Sequence, residues 1–95
     1  MKIVDFDEDV TLLNEFYKLV SSNVIRVRKE KNISQLKLAN AIGHQSPTFF
    51  GKAEILAENK HFNLEHLFKI SVVLEIDITE FFKTTSPHDE VKNIF

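Results

Sequence analysis

Residues 34–54 read SQLKLANAIGHQSPTFFGKAE and contain the start and stop signals of two consecutive helices. Ser34 has the residue type of a helix N-cap, and apolar residues follow it at helical spacing. Gly43 then stands where a left-handed residue usually ends a helix. Ser46 and Pro47 supply an N-cap and a first-turn residue for the next helix. The stretch therefore predicts two short helices joined by a tight turn.

The chain before this pair also carries a helical pattern. Apolar residues recur at spacings of three and four: Val10, Leu13, Phe16, Tyr17, Val20, Val24 and Val27. They predict a helix from about Asp9 to Lys31, closed by Asn32 and either continuous or split at the poor helix formers Ser21–Asn23. Residues 2–6 alternate weakly between apolar and polar, which fits a short strand, an arm or a mobile end.

The chain after the pair follows the same rules. Asn63 can cap a helix with apolar residues at helical spacing, and Asp77 begins a final short turn. We therefore expect an all-α fold. Its parts are an N-terminal helical extension over residues 1–21, a helix-turn-helix domain over residues 22–83 and a mobile C-terminal tail over residues 84–95.

Composition limits the classes of function that the chain can have. Its 95 residues fit one domain, 43% of them are hydrophobic, and there is no cysteine for a disulfide, a thiolate metal site or a cysteine nucleophile. The four histidines are scattered, and no catalytic arrangement or glycine-rich phosphate loop is visible. We expect a cytoplasmic protein that is not an enzyme, with no cofactor, no metal, no ligand pocket and no membrane segment.

The charge distribution is uneven. The formal net charge is −2, which is unusual for a nucleic-acid-binding protein. Acidic residues collect near the two ends, whereas basic residues cluster before and inside the helix pair: Arg26, Arg28, Lys29, Lys31 and Lys37. This cluster is either a solvated helix surface or a patch that meets phosphates.

Several of these features together resemble one known family. The shared pattern is Ser34-Gln35-x-x-Leu38-Ala39-x-x-x-Gly43, then Glu54, then Leu67-x-x-Ile70-Ser71. It resembles the Cro and phage-repressor family, also called the xenobiotic-response-element family, over about residues 22–82. The resemblance implies five short helices, of which the second and third form a helix-turn-helix and the third, about Ser46–Glu54 here, enters the DNA major groove.

The resemblance also assigns roles to individual residues. It implies that Gln35 contacts a DNA phosphate, and that Arg28 and Glu54 form a structural pair between the first and third helices. The link from Glu54 to Asn63 is longer than the family's usual link.

The face of the predicted recognition helix supplies further candidates. Phe50 and Ala53 share one face and suit the core, whereas Thr48, Gly51 and Lys52 share another. Thr48 and Lys52 can reach base edges or phosphates, and Gly51 lets the backbone approach DNA closely. The complete set of predicted DNA-binding residues is Gln35, Gln45, Ser46, Pro47, Thr48, Phe49, Gly51 and Lys52.

The sequence thus predicts a sequence-specific transcriptional regulator that binds double-stranded DNA as a homodimer. The first choice for the dimer contact is the N-terminal extension, because its apolar residues exceed what the family core requires: Phe6, Leu12, Leu13, Phe16, Leu19 and Val20. The alternative contact is the last helix, with Ile76, Ile78, Phe81 and Phe82. The alternative function is a protein-interaction module, such as an antitoxin or adaptor, that keeps the fold but binds a protein partner.

Overall fold

A computed structural model describes residues 1–43 and 47–84, and the regular structure within those ranges is entirely helical. Four α-helices follow one another: α1 (Thr11–Glu30), α2 (Gln35–Ala41), α3 (Pro47–Ile55) and α4 (Leu64–Leu74). Two 3-10 helices occupy Ala57–Asn59 and Ile78–Phe82. Residues 2–6 form no strand. The predicted tail lies outside the described residues from position 85 onward.

Helix α1 runs without a break through Ser21–Asn23. The Ser21 hydroxyl donates to the Lys18 carbonyl at 3.2 Å, so part of its hydrogen bonding is satisfied inside the helix. The buried Asn23 amide donates to the carbonyls of Phe81 and Lys83 at 2.9 and 2.8 Å. Asn23, a poor helix former, therefore serves to bond a distant segment of the chain. Of the two predicted alternatives, one continuous helix or a split at Ser21–Asn23, the fold has the continuous helix.

Both ends of α2 and the start of α4 have the predicted capping residues, whereas the predicted cap of α3, Ser46, lies outside the described residues. The Ser34 hydroxyl accepts from the Lys37 amide at 3.0 Å, and Gly43 has a left-handed φ of 79°. The Asn63 side chain accepts from the His66 amide at 2.8 Å, while His66 Nδ1 accepts from the Asn63 amide at 3.0 Å. These reciprocal bonds form a capping box with histidine in the place usually taken by an acid or amide.

The core joins the four α-helices and the final 3-10 helix. Its buried members are Val20, Val24, Val27, Leu38, Ala39, Ile42, Phe50, Ala53, Phe62, Leu67, Ile70, Leu74 and Phe81. Helix α1 packs against α3 and against the final 3-10 helix. Phe16 and Phe82 stack with ring centroids 6.1 Å apart. The N-terminal half of α1 is thus built into the same core as the helix pair.

For three of the six apolar residues of the extension, this packing corrects the expectation that they are surplus. Leu19 and Val20 are buried, and Phe16 packs against the core. Phe16 stacks on Phe82 of the final 3-10 helix, whose Phe81 is fully buried. A sequence pattern shows that such residues are apolar, but not which part of their own chain they cover.

The connection between α3 and α4 has an unusual backbone. Leu56, Glu58 and Asn59 all have left-handed φ values, between 53° and 58°. A left-handed conformation costs about 1–2 kcal/mol for an ordinary L-residue. Asparagine tolerates it well, but leucine and glutamate do not. The surrounding contacts therefore have to hold this connection in place.

Candidate nucleic-acid interface

Helix α3 is anchored through one side. Phe50 and Ala53 are fully buried, and Phe50 packs edge-on against Phe62 with centroids 5.1 Å apart. Thr48 and Ile55 are exposed. This division agrees with the predicted core face of the helix and leaves a strip of α3 facing away from the core.

A buried network fixes α3 to the two preceding helices. Glu54 is 4% exposed, and its carboxylate accepts from Arg28 Nε at 2.7 Å and from a terminal guanidinium nitrogen of Arg28 at 3.1 Å. The remaining guanidinium nitrogen donates to the Ile33 carbonyl at 3.0 Å. Gln35 Nε2 donates to the same carboxylate at 2.7 Å. One carboxylate thus joins α1, α2 and α3, and bidentate geometry fixes orientation as well as distance.

Gln35 makes a contact that the resemblance does not imply. Its amide is bonded to Glu54, and its side chain lies over Gly51: a Cβ added at Gly51 would be 3.5 Å from Gln35 Oε1. One of the two amide hydrogens of Gln35 remains for a phosphate. The side chain therefore belongs first to the network that holds α3.

Gly51 is half-buried below this side chain, in a helical conformation. A methyl group at this position would make ordinary van der Waals contacts, the nearest at 3.5 Å. Packing within the chain therefore does not require glycine here. The predicted reason for a glycine, close approach of the α3 backbone to DNA, remains a prediction.

Two other predicted contacts lie on the outer side of α3. Thr48 is exposed, whereas Lys52 is about half-exposed and forms an ion pair with Glu58 of the following 3-10 helix. The hydrogen bond from Lys52 and its positive charge hold the pKa of the Glu58 carboxyl below its usual value. A phosphate that binds Lys52 would compete with this carboxylate.

The other candidates are only partly described. Phe49 is half-buried, packs against the core and has its ring centroid 5.0 Å from that of His66. Gln45 and Ser46 lie outside the described residues, as does the side chain of Pro47. The structure thus brings Gln35, Gly51 and Glu54 together, with Thr48 and Lys52 on the exposed side.

The basic cluster of the sequence is smaller in three dimensions. Arg26 binds Glu30 at 3.2 Å and Glu80 at 3.5 Å, and Arg28 is engaged with Glu54. Within residues 1–43 and 47–84, the remaining lysines of the cluster form no ion pair: Lys29, Lys31 and Lys37. The cation available to phosphates is therefore lysine rather than arginine.

Sequence reasoning missed two kinds of residue at this site. His66 both caps α4 and contacts Phe49; the Asn63-x-x-His66 spacing was the available signal. Glu58 pairs with Lys52 across a turn whose left-handed backbone no residue type predicts. No group of three metal-binding side chains occurs in the described ranges, and none of their helices is long and apolar enough to cross a membrane.

Comparison with known proteins adds no relative: no family model, curated protein or solved structure matches the chain. The function therefore has to be argued from the residues described above.

Proposed function

We propose that the chain is a helix-turn-helix transcriptional regulator that binds double-stranded DNA as a homodimer. In this proposal α3 is the recognition helix and enters the major groove. The family resemblance implies five helices, and the described chain contains four α-helices and two 3-10 helices that can correspond to them.

The observation that carries the proposal is the contrast between the two sides of α3. Its inner side is fixed through Glu54, which accepts three hydrogen bonds from Arg28 and Gln35. Its outer side carries Thr48 and Lys52, the side chains that can read base edges or meet phosphates. A helix held rigidly by its neighbours while it presents polar side chains is what groove recognition needs.

A dimer is part of the proposal because one small module buries little surface on DNA. The residues expected to form its contact are mostly internal: Phe81 is fully buried and Leu19 and Val20 nearly so, although Phe6 and Leu13 stay largely exposed. Helix α4 instead carries a continuous exposed apolar stripe. The stripe consists of Leu64, Phe68 and Val72, which are 74%, 60% and 58% exposed.

The spacing of the α4 stripe favours a second copy of this chain as its partner. When two copies of α4 pack antiparallel about a two-fold axis near Phe68, Leu64 faces Val72 of the other copy, and the two Phe68 side chains meet at the axis. The Glu65–Lys69 pair, bonded at 3.1 Å, lies along the flank of the stripe within each copy. The stripe is then self-complementary in its apolar contacts.

The DNA-binding part is tested by fluorescence anisotropy with random-sequence duplex DNA at two salt concentrations. We expect binding that weakens steeply as salt rises, and a further loss in Lys52→Gln. Lys83→Gln is the matched control, since Lys83 is similarly exposed, is also paired with a glutamate and lies outside α3 and the α4 stripe. Absence of binding at low salt, or equal losses in the two variants, would contradict the proposal.

A protein-interaction module is the second candidate. The ion pairs of Arg26, Arg28 and Lys52 favour it, because they leave few free cations beside α3 for phosphates. Such a module would bind one protein partner with little dependence on salt and would not bind duplex DNA. The salt series therefore separates the two candidates.

A further inference from the structure

A small cavity opens between the N-terminal half of α1 and the connection that follows α3. Its volume is about 300 Å³, and it is lined by Asn14, Tyr17, Leu56, Asn59, Lys60 and His61. We call it the loop pocket. Its volume is at the lower end of the range for small-molecule sites.

The side chains that line the pocket supply hydrogen-bond donors and a positive charge but no negative charge. Lys60 supplies an ammonium group, Asn14 and Asn59 supply amides, and Tyr17 supplies a hydroxyl, whereas no carboxylate lines the cavity. Among the described residues these four side chains have no hydrogen-bond partner on another side chain or on the backbone. The loop pocket thus offers several hydrogen-bond donors around one positive charge, in a chain whose net charge is −2.

Two further observations distinguish the loop pocket from an ordinary surface hollow. The rings of Tyr17 and His61 stack 4.0 Å apart, and buried His61 Nδ1 has no hydrogen-bond partner in the described chain. Leu56, a residue type that tolerates it poorly, is held in a left-handed conformation. Unsatisfied buried nitrogen and strained non-glycine backbone both cost free energy, and both are concentrated at binding sites and switch regions.

We propose that the loop pocket binds a small organic anion that carries a carboxylate or a phosphate group. Lys60 provides the charge, the Asn14 and Asn59 amides donate to the anionic oxygens, and Leu56 contacts the apolar part of the ligand. The cavity near the N-terminus provides an internal contrast, since Asp5, Glu8 and Asp9 line it and would repel an anion.

The loop pocket is connected to α3. Its lining residues flank Glu58, which pairs with Lys52, and the Leu56 amide donates to the Ala53 carbonyl at 3.4 Å. A ligand that pulls on Lys60 and Asn59 therefore acts on the segment that holds Lys52. If the proposed DNA-binding function is correct, such a ligand changes DNA affinity, and this last step alone rests on that function.

The binding test uses the full-length chain labelled with ¹⁵N, titrated with inorganic phosphate, glycerol phosphate or succinate, with sodium chloride at matched ionic strength as the reference. We expect saturable amide shifts confined to residues 56–61 and to the facing turn of α1, with the preferred probe telling phosphate from carboxylate. Lys60→Gln should raise the Kd about tenfold or more. The control Lys31→Gln removes an exposed lysine that lies outside the pocket.

The outcomes separate the two proposals. If sodium chloride reproduces the amide shifts, or if Lys60→Gln leaves them unchanged, the pocket binds an adventitious ion only. Either result overturns the proposal that the loop pocket binds a small organic anion. Duplex DNA binding with no anion binding leaves the regulator standing without this site. Anion binding in a chain that never binds duplex DNA keeps the site and refutes the regulator.

Discussion

Replacing glycine by alanine should have opposite effects at the two glycines of this chain. Gly51 is helical in the interior of α3, and a Cβ there would lie 3.5 Å or more from its neighbours. Gly43 has a φ of 79°, although no atom lies within 4 Å of a Cβ added there. Space for a methyl group is available at both positions, so the backbone conformation alone decides whether the replacement stabilises or destabilises the fold.

The magnitudes follow from the conformations. Alanine is favoured over glycine in a helix interior by about 0.5–1 kcal/mol, so Gly51→Ala should stabilise the fold by about that amount. A left-handed alanine is disfavoured, so Gly43→Ala should destabilise by about 1–2 kcal/mol. For a domain of this size each kcal/mol moves Tm by about 4–8 °C.

Urea and thermal unfolding followed by circular dichroism measure both variants against the wild type. A destabilised Gly51→Ala would refute the packing of Gln35 over α3, and a stabilised Gly43→Ala would refute the left-handed end of α2. The same variants also test DNA binding: if Gly51 lets a DNA backbone approach, Gly51→Ala should fold more stably yet bind duplex DNA more weakly.

Three further predictions concern charged groups. Glu54→Leu should lower the free energy of unfolding by about 3–5 kcal/mol, because it leaves Arg28 buried without its ion-pair partner. The double variant Arg28→Met/Glu54→Leu should lose less stability than the sum of the two single losses. Additive losses in a urea double-mutant cycle would disprove the coupling. In sedimentation equilibrium, Phe68→Glu should weaken self-association, because it places two like charges at the two-fold axis of the α4 stripe. Unchanged self-association would exclude the α4 contact. In an NMR titration, the pKa of the Glu58 carboxyl should lie below the usual glutamate value, because the hydrogen bond and charge of Lys52 lower it, and Lys52→Gln should raise it. Because the pKa is lower in the folded state than in the unfolded state, the stabilisation from this pair is present at neutral pH. It is lost as the pH falls through the folded-state pKa.

Local rules predicted much of this fold. The caps at Ser34 and Asn63 and the stop at Gly43 depend on hydrogen bonds and backbone angles within a few residues, so residue type alone carries the signal. The buried face of α3 followed from its spacing. Arg28 and Glu54 meet as the resemblance implies, with a bidentate bond that spacing could not show.

The remaining features depend on distant partners. Asn23 looks like a helix breaker until its bonds to the Phe81 and Lys83 carbonyls are known. Arg26 can pair with Glu30 one helical turn away, but its second partner, Glu80, becomes visible only in the fold. Leu56 carries no signal for a left-handed backbone, and the loop pocket forms only when that connection meets α1. In each case the deciding contact joins segments far apart in sequence.

The buried ion pair between Arg28 and Glu54 should respond to salt differently from the exposed cations on the outer side of α3. The two side chains are only 12% and 3% exposed, so mobile ions screen their attraction little. The cations on the outer side, such as Lys52 at 42% exposure, are much more open to screening. Added salt should therefore weaken contacts with a polyanion while α3 keeps its orientation, and a salt titration would report on the surface of the molecule rather than on its architecture.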